Sequence, residues 1–133
     1  MARTSCALCD PTHPFMRLLV ADDDPSLQVA LRMVLELAGH EVTLAPTASA
    51  ARAELEETDF GAVLVDAGIP GSGVDLWEEL RSNQRYDGRA ILMSGDIPAL
   101  GDLVERDDVL GKPFDYDALL ARLALLGRPD PGV

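Results

Sequence analysis

Residues 17–25 carry the clearest fold signal in the chain, R-L-L-V-A-D-D-D-P. Their apolar part, residues 18–21, is typical of a strand that is buried on both faces of a parallel sheet. Three aspartates follow directly. The pair Asp24 and Pro25 predicts a helix start, because aspartate is a good N-cap and proline suits the first helical turn. The segment therefore predicts a buried strand that delivers acidic side chains to the beginning of a helix.

The same alternation of strand and helix continues along the chain. Short apolar runs predict further strands at residues 42–44, 62–65, 90–93 and 109–110. The spacing of apolar residues predicts helices at residues 25–38, 48–57, 74–81, 98–106 and 115–126. Thr47 can cap the second of these helices. Strands and helices that alternate in this way form a parallel sheet with helices on both faces. We therefore expect an α/β fold with a doubly wound, five-stranded parallel sheet of the flavodoxin-like type.

The composition fits one domain with its own apolar core. The chain has 133 residues, of which 47% are hydrophobic, and its formal net charge is −12, from 23 acidic and 11 basic residues. A surface this acidic repels phosphate backbones and anionic lipids, so direct binding to nucleic acid or to a membrane is not expected. No apolar run approaches the roughly 20 residues that span a bilayer, and no signal peptide is evident. We expect a cytoplasmic protein with a leader at residues 1–15, one domain at residues 16–127 and a tail at residues 128–133.

The leader contains the only two cysteines, Cys6 and Cys9, with His13 nearby. A zinc or redox site is one interpretation of this spacing. However, a closed zinc site needs four ligands, and a dithiol motif usually lies between a strand and a helix. A loose tail is the simpler interpretation. Translation could start at Met1 or at Met16, where the strand–helix pattern begins.

Polar side chains come at or just after the ends of four predicted strands. They are Asp22, Asp23 and Asp24 after the first strand, Asp66 after the third, Ser94 after the fourth and Lys112 after the fifth. In doubly wound sheets the ligand site lies at the carboxyl ends of the strands. Clustered carboxylates repel one another, and Mg²⁺, which prefers oxygen ligands, removes that conflict. A carboxylate beside Mg²⁺ can attack phosphorus, while a lysine and a hydroxyl balance the charge on the phosphoryl oxygens.

Four segments resemble the receiver domain of response regulators in two-component signalling. They occur in the order typical of that family: residues 17–25, V-L-V-D-A-G-I-P-G-S-G-V-D-L at 63–76, I-L-M-S-G at 91–95 and G-K-P-F-D at 111–115. The resemblance covers about residues 16–127. It implies a sheet with the strand order 2-1-3-4-5.

The resemblance also implies a role for each polar residue at the strand ends. Asp66 would be the phosphoacceptor, and Ser94 and Lys112 would contact the phosphoryl group. The implied ligands of Mg²⁺ are Asp22, Asp23, Asp66 and the backbone carbonyl of Gly68. The phosphoryl donor would be a histidine kinase or a phosphotransfer protein, and the output would be contacts with a downstream protein. On this interpretation the domain is a regulatory phosphoacceptor and not an enzyme.

The chain departs from the pattern of the family at three places. The loop between Asp66 and Gly73 and the stretch between Ser94 and Lys112 are both shorter than usual. In that family the residue three positions before the lysine is commonly an aromatic one that turns inward on activation. Here the residue three positions before Lys112 is Val109. We therefore expect phosphate acceptance to be retained and the readout near the last strand to differ.

Two glycines bear on the lifetime of a phosphorylated state. Gly68 and Gly95 place no side chain beside the predicted pocket. Water would then reach an acyl phosphate on Asp66 easily, so we expect that state to be short-lived.

The sequence leaves three other functions open. The first is a receiver-like interaction module that works without phosphorylation, which Val109 and the short stretch before Lys112 favour and the complete set of polar residues opposes. The second is a phosphatase with an aspartate nucleophile, resembling haloacid dehalogenases, because Asp22 and Asp24 form a D-x-D pattern after the first strand. Such enzymes need a larger chain. The third is a receiver excised from a hybrid kinase, whose motifs would look the same.

Overall fold

The structure, a computed structural model, describes residues 16–86, 88–95, 109–112 and 116–126. Within these ranges the strands are β1 (Arg17–Ala21), β2 (Glu41–Ala45), β3 (Ala62–Asp66), β4 (Ala90–Ser94) and β5 (Val109–Gly111). The helices are α1 (Pro25–Leu37), α2 (Ala48–Glu57), α3 (Gly73–Arg81) and α4 (Tyr116–Leu126). None of these helices has the length and apolarity needed to cross a lipid bilayer. The predicted helix at 98–106, the tail, and the leader with Cys6, Cys9 and His13 lie outside the described residues.

The five strands form one parallel sheet in the order β2-β1-β3-β4-β5, which confirms the predicted fold. β1 lies between β2 and β3, with Leu19 paired to Thr43 on one side and to Val63 on the other. The chain therefore places β2 on one side of β1 and then crosses back over β1 to place β3 on its other side. The direction of winding reverses between β1 and β3. Ligands of doubly wound sheets bind at such a point, beyond the carboxyl ends of the strands.

Alternate residues of the central strands point to opposite faces of the sheet and build two apolar cores. The core on one face joins the strands to α2 and α3, and its buried members include Leu19, Val63, Leu92, Ala51 and Trp77. The core on the other face joins the strands to α1 and α4, and its buried members include Leu18, Leu64, Ile91, Leu35 and Leu119. Burial on both faces explains why these strands are nearly continuous apolar runs.

The first two helices start at the predicted capping residues. The side chain of Asp24 accepts a hydrogen bond from the backbone N–H of Ser26 at 3.0 Å, and Pro25 occupies the first turn of α1. Thr47 caps α2 in the same way, accepting from the backbone N–H of Ala50 at 3.0 Å. Both predictions are confirmed, because these caps satisfy N–H groups that the first turn of a helix leaves without partners.

Candidate functional site

Asp22 anchors the polar residues at the carboxyl edge of the sheet. It follows the last residue of β1, and its side chain is fully buried. Its carboxylate Oδ1 accepts the backbone N–H of Asp24 at 2.8 Å, and its Oδ2 lies 3.2 Å from Nζ of Lys112. Its own backbone N–H donates to the carbonyl of Ala45 at 3.0 Å, at the end of β2. These partners hold the carboxylate in one orientation.

Lys112 connects the ends of β1 and β3. Its ammonium Nζ lies 3.2 Å from Oδ2 of Asp22 and 3.2 Å from Oδ1 of Asp66. Its backbone N–H donates to the carbonyl of Ser94 at 2.7 Å, so the lysine is fixed where β4 and β5 end. Burial alone would lower the pKa of Lys112, but the two carboxylates outweigh burial and raise that pKa above its ordinary value. The ammonium therefore stays charged at neutral pH and contacts both acids at once.

Three carboxylates meet at this edge in an arrangement that fits a cation. Asp22, Asp23 and Asp66 each place one oxygen within 4.8 Å of the others. Burial raises the pKa of Asp22, and the charge of Asp66 adds to the increase, whereas the N–H of Asp24 and the ammonium of Lys112 act against it. A divalent cation would relieve the repulsion among the acids. All three carboxylates offer the hard oxygen ligands that Mg²⁺ prefers, so the donor set fits this ion.

The short loop after Asp66 brings a glycine against the backbone of that residue. Gly73 is the first residue of α3, and a Cβ atom at this position would lie 1.9 Å from the carbonyl oxygen of Asp66. Only glycine permits this approach. Ser72 caps the helix by accepting the backbone N–H of Asp75 at 3.2 Å, and it does so with a left-handed φ of 71°. The helix therefore begins one residue before the predicted start, because the loop places its first turn directly over Asp66.

The rim of the site is open at Gly68. This residue is exposed, and its backbone N–H lies 3.4 Å from Oδ1 of Asp66. A Cβ atom on Gly68 would lie 3.9 Å from Oδ2 of Asp66, an ordinary contact distance, and a Cβ atom on Gly95 would meet no heavy atom within 4 Å. Neither glycine provides a side chain that covers Asp66.

The remaining predicted residues lie at the ends of their strands. Ser94 ends β4 and is buried, and Asp23 is exposed at the acidic cluster. Among the described residues that cluster does not include Asp24, whose carboxylate caps α1 instead. Val109 begins β5, pairs with Leu92 and packs against the core under α2 and α3. A small apolar side chain thus occupies the position where the family usually has an aromatic one.

One contributor to the site is not predicted by the sequence. The side-chain amide of Gln28, in α1, donates a hydrogen bond to the backbone carbonyl of Asp22. The sequence marks Gln28 only as a polar residue in the early part of a helix. Its partner depends on the path of the chain between the end of β1 and the start of α1.

Comparisons with known proteins identify the family of the chain. The family described as response regulator receiver domain matches residues 18–124. The chain is 32% identical over 124 residues to the DNA-binding dual master transcriptional regulator RpaA of Synechocystis, which covers 86% of this chain and 50% of RpaA. It is 35% identical over 121 residues to the two-component response regulator PhoP of Pseudomonas aeruginosa, which covers 88% of this chain and 54% of PhoP. The chain spans about half the length of these curated relatives.

Solved structures show the same fold. The response regulator TrrA of Thermotoga maritima, solved in complex with Mg(2+)-BeF, aligns with a TM-score of 0.72 at 26% identity over 83% of this chain and 97% of TrrA. A CheY-like receiver domain protein of Methanospirillum hungatei aligns with a TM-score of 0.72 at 26% identity over 85% of this chain and 94% of that protein. The order of the strands agrees with these matches, and the chain belongs to the response regulator receiver domain family.

Proposed function

We propose that this receiver domain accepts a phosphoryl group on the carboxylate of Asp66 and passes the signal on through contacts with other proteins. The observation that carries the proposal is the position of Lys112, whose ammonium lies 3.2 Å from carboxylate oxygens of both Asp22 and Asp66. A cation already in contact with Asp66 is placed to balance the charge of a phosphoryl group bound there.

The proposed reaction is a direct transfer to an oxygen of Asp66. That oxygen forms a bond to phosphorus while the bond between phosphorus and the nitrogen of a phosphohistidine breaks, and the electron pair leaves with the imidazole. Lys112 balances the negative charge on the phosphoryl oxygens, and the hydroxyl of Ser94 donates a hydrogen bond to one of them. The product is an acyl phosphate on this chain and a free histidine on the donor.

Mg²⁺ is the proposed cofactor of the transfer. Its ligands are Asp22, Asp23, Asp66 and the backbone carbonyl of Gly68. When bound, the ion supplies positive charge to the oxygens of the transferred group. The similarity to TrrA, which was solved in complex with Mg(2+)-BeF, supports this assignment. The contribution of this chain is to hold mutually repelling carboxylates together. The hydrogen bonds that Asp22 accepts from Asp24 and Lys112 serve that purpose.

The proposed partners are a histidine kinase or a phosphotransfer protein as the donor, and a downstream protein that reads the phosphorylated state. The net charge of −12 supports output through protein contacts and not through nucleic acid. The domain then acts as a regulatory phosphoacceptor and not as an enzyme. The cytoplasmic location and the limits of the domain at residues 16–127 stay predictions.

Incubation with acetyl phosphate and Mg²⁺ tests the proposal. We expect phosphate-affinity electrophoresis to detect one labelled form of the wild-type protein, and mass spectrometry after borohydride reduction to locate the label at Asp66. Asp66→Asn should abolish the label. Asp24→Asn is the matched control, because it removes an acid from the neighbouring turn and keeps a good N-cap. Label that persists in Asp66→Asn contradicts the proposal, and label located at Asp22 supports the phosphatase interpretation.

One observation favours a second candidate, an interaction module that does not depend on phosphorylation. Val109 packs against the core and has no ring or hydroxyl that could turn inward on activation. The two candidates differ in how far a change at the pocket spreads. With Mg²⁺ and beryllofluoride, amide chemical-shift changes that extend from the pocket to β5 and α4 support the switch. Changes confined to the pocket residues support the second candidate.

A further inference from the structure

Gln28 extends the hydrogen bonds of the acidic pocket into α1. It is half-buried, and its backbone N–H donates to the carbonyl of Asp24 at 2.9 Å as part of the first helical turn. Its side-chain Nε2 donates to the backbone carbonyl of Asp22. With this bond, every polar group of Asp22 has a partner. Its N–H donates to the carbonyl of Ala45, and its carbonyl accepts from Gln28. Its two carboxylate oxygens contact the N–H of Asp24 and the ammonium of Lys112.

The carbonyl that Gln28 holds belongs to the peptide group between Asp22 and Asp23. Because a peptide group is planar, its orientation sets the direction in which the chain leaves Asp22 and enters Asp23. The carboxylates of these two residues and of Asp66 have oxygens within 4.8 Å of one another. Like charges at this distance favour separation, so a fixed peptide helps the contacts of Lys112 to keep the acids together before a cation binds.

We infer that Gln28 is a positioning residue for the cation pocket: its amide fixes the peptide between Asp22 and Asp23 and so keeps both carboxylates directed at the site they share with Asp66. The inference rests on the proposed function, because it concerns the same cation site. A neutral amide suits this position, since it donates a hydrogen bond without bringing charge. A lysine would add a positive charge beside the pocket, and a glutamate carboxylate has no proton to donate.

Gln28→Met tests the inference, because methionine has a similar length and a similar helix propensity but no N–H donor. The dissociation constant for Mg²⁺ alone is measured by titration calorimetry at constant ionic strength. The thermal midpoint of the cation-free protein and the amide chemical shifts of residues 22–24 are measured in parallel. Hydrogen-bond partners of metal ligands commonly contribute about tenfold or more to metal affinity. We therefore expect Gln28→Met to weaken Mg²⁺ binding about tenfold and to shift the amide signals of residues 22–24.

Gln84→Met is the matched control, because Gln84 is exposed in the turn after α3 and has no place in the pocket. It should bind Mg²⁺ with wild-type affinity. If Gln28→Met lowers the thermal midpoint but binds Mg²⁺ as tightly as the wild type, Gln28 only stabilises α1 and the inference is wrong, while the proposed function stands. If the wild type itself does not bind Mg²⁺, the proposed cation site and the inference both fail.

A second pair of measurements covers the case in which Gln28→Met does not fold. Gln28→Leu is an independent apolar replacement with the same expected loss of affinity. In the wild type, the side-chain amide protons of Gln28 should exchange slowly with water because one of them is held by the carbonyl of Asp22. Rapid exchange, at the rate of the exposed Gln84 amide, would overturn the inference without any substitution.

Discussion

At the scale of single residues, the two glycines that approach Asp66 differ in the space around them. Gly73 touches backbone atoms that cannot move away, whereas Gly68 lies on an open rim. The sequence shows both as loop glycines of one segment and does not distinguish them. The distinction comes from the path of the loop, and it leads to opposite expectations for substitution.

Gly73→Ala should destabilise the protein. The added Cβ atom would lie 1.9 Å from the carbonyl oxygen of Asp66 and 3.0 Å from Cα of Ala67, so the backbone of the site has to shift. Overpacking of this kind costs about 1–3 kcal/mol, and we expect the upper end because the contact is with backbone. Urea unfolding measures the loss. Gly95→Ala is the control, since a Cβ atom there meets nothing within 4 Å. Equal stability of the two variants would show that the loop relaxes without cost.

Gly68→Met should prolong the phosphorylated state. The position is exposed and a Cβ atom fits at 3.9 Å from Oδ2 of Asp66, so a long side chain can cover the acyl phosphate and hinder water. A rise of about 1 kcal/mol in the hydrolysis barrier corresponds to roughly a fivefold longer half-life. The decay of the labelled form after removal of the phosphodonor measures this half-life, and Gln84→Met is the control. A wild-type half-life of many hours would refute the expectation that water reaches Asp66 easily.

At the scale of secondary-structure elements, α2 and α3 are joined by an ion pair on their outer surface. Arg52 donates to Glu79 through Nε at 3.1 Å and through Nη2 at 2.8 Å. The hydrogen bond from Arg52 lowers the pKa of Glu79. The folded-state pKa therefore lies below that of the unfolded chain, and the pair contributes stability at neutral pH that is lost as the pH falls through the lowered pKa.

Glu79→Gln should reduce the free energy of unfolding at neutral pH by less than about 1 kcal/mol, because both partners are partly exposed and water screens the pair. The difference from wild type should shrink once the pH falls below the ordinary glutamate pKa of about 4.3, and it should disappear below the lowered pKa of Glu79 in the folded protein. Urea unfolding at both pH values measures this. Glu56→Gln, at an exposed position of α2, is the control with the same chemical change. A difference that persists unchanged in acid would mean that the ion pair is not its cause.

At the scale of the whole molecule, the net charge of −12 and the acidic pocket both attract cations, but only the pocket should bind one specifically. A ligand that binds only the folded state stabilises it, by about 2.7 kcal/mol at a concentration one hundred times the dissociation constant. General screening of surface charge depends on ionic strength and not on any single carboxylate. A single substitution therefore separates the two effects.

Mg²⁺ should raise the thermal midpoint of the wild type more than NaCl does at the same ionic strength. Asp22→Asn should lose most of this difference, because it removes a charged ligand, and Asp24→Asn should keep it, because Asp24 caps α1 outside the cluster. Thermal unfolding in both salts measures these midpoints. Equal responses of the wild type and Asp22→Asn would show that Mg²⁺ acts by screening alone.

Much of the fold follows from local patterns in the chain. The strands at residues 18–21 and 62–65 are recognisable because burial on both faces demands continuous apolar residues. The starts of α1 and α2 are recognisable because Asp24 and Thr47 cap helices through their own side chains. The start of α3 is less predictable, since Ser72 caps it with a positive φ of 71°, which residues other than glycine rarely adopt.

The sequence by itself determined the α/β sheet, the order of its elements and the identity of the polar residues at the strand ends. These properties depend on periodicity and capping, which act over a few residues. Only the tertiary structure decided that Lys112 contacts Asp22 and Asp66 together, that Gly73 lies against Asp66, and that Gln28 holds the carbonyl of Asp22. Such contacts depend on distances of a few ångströms between separate segments, and the packing of the whole sheet sets those distances.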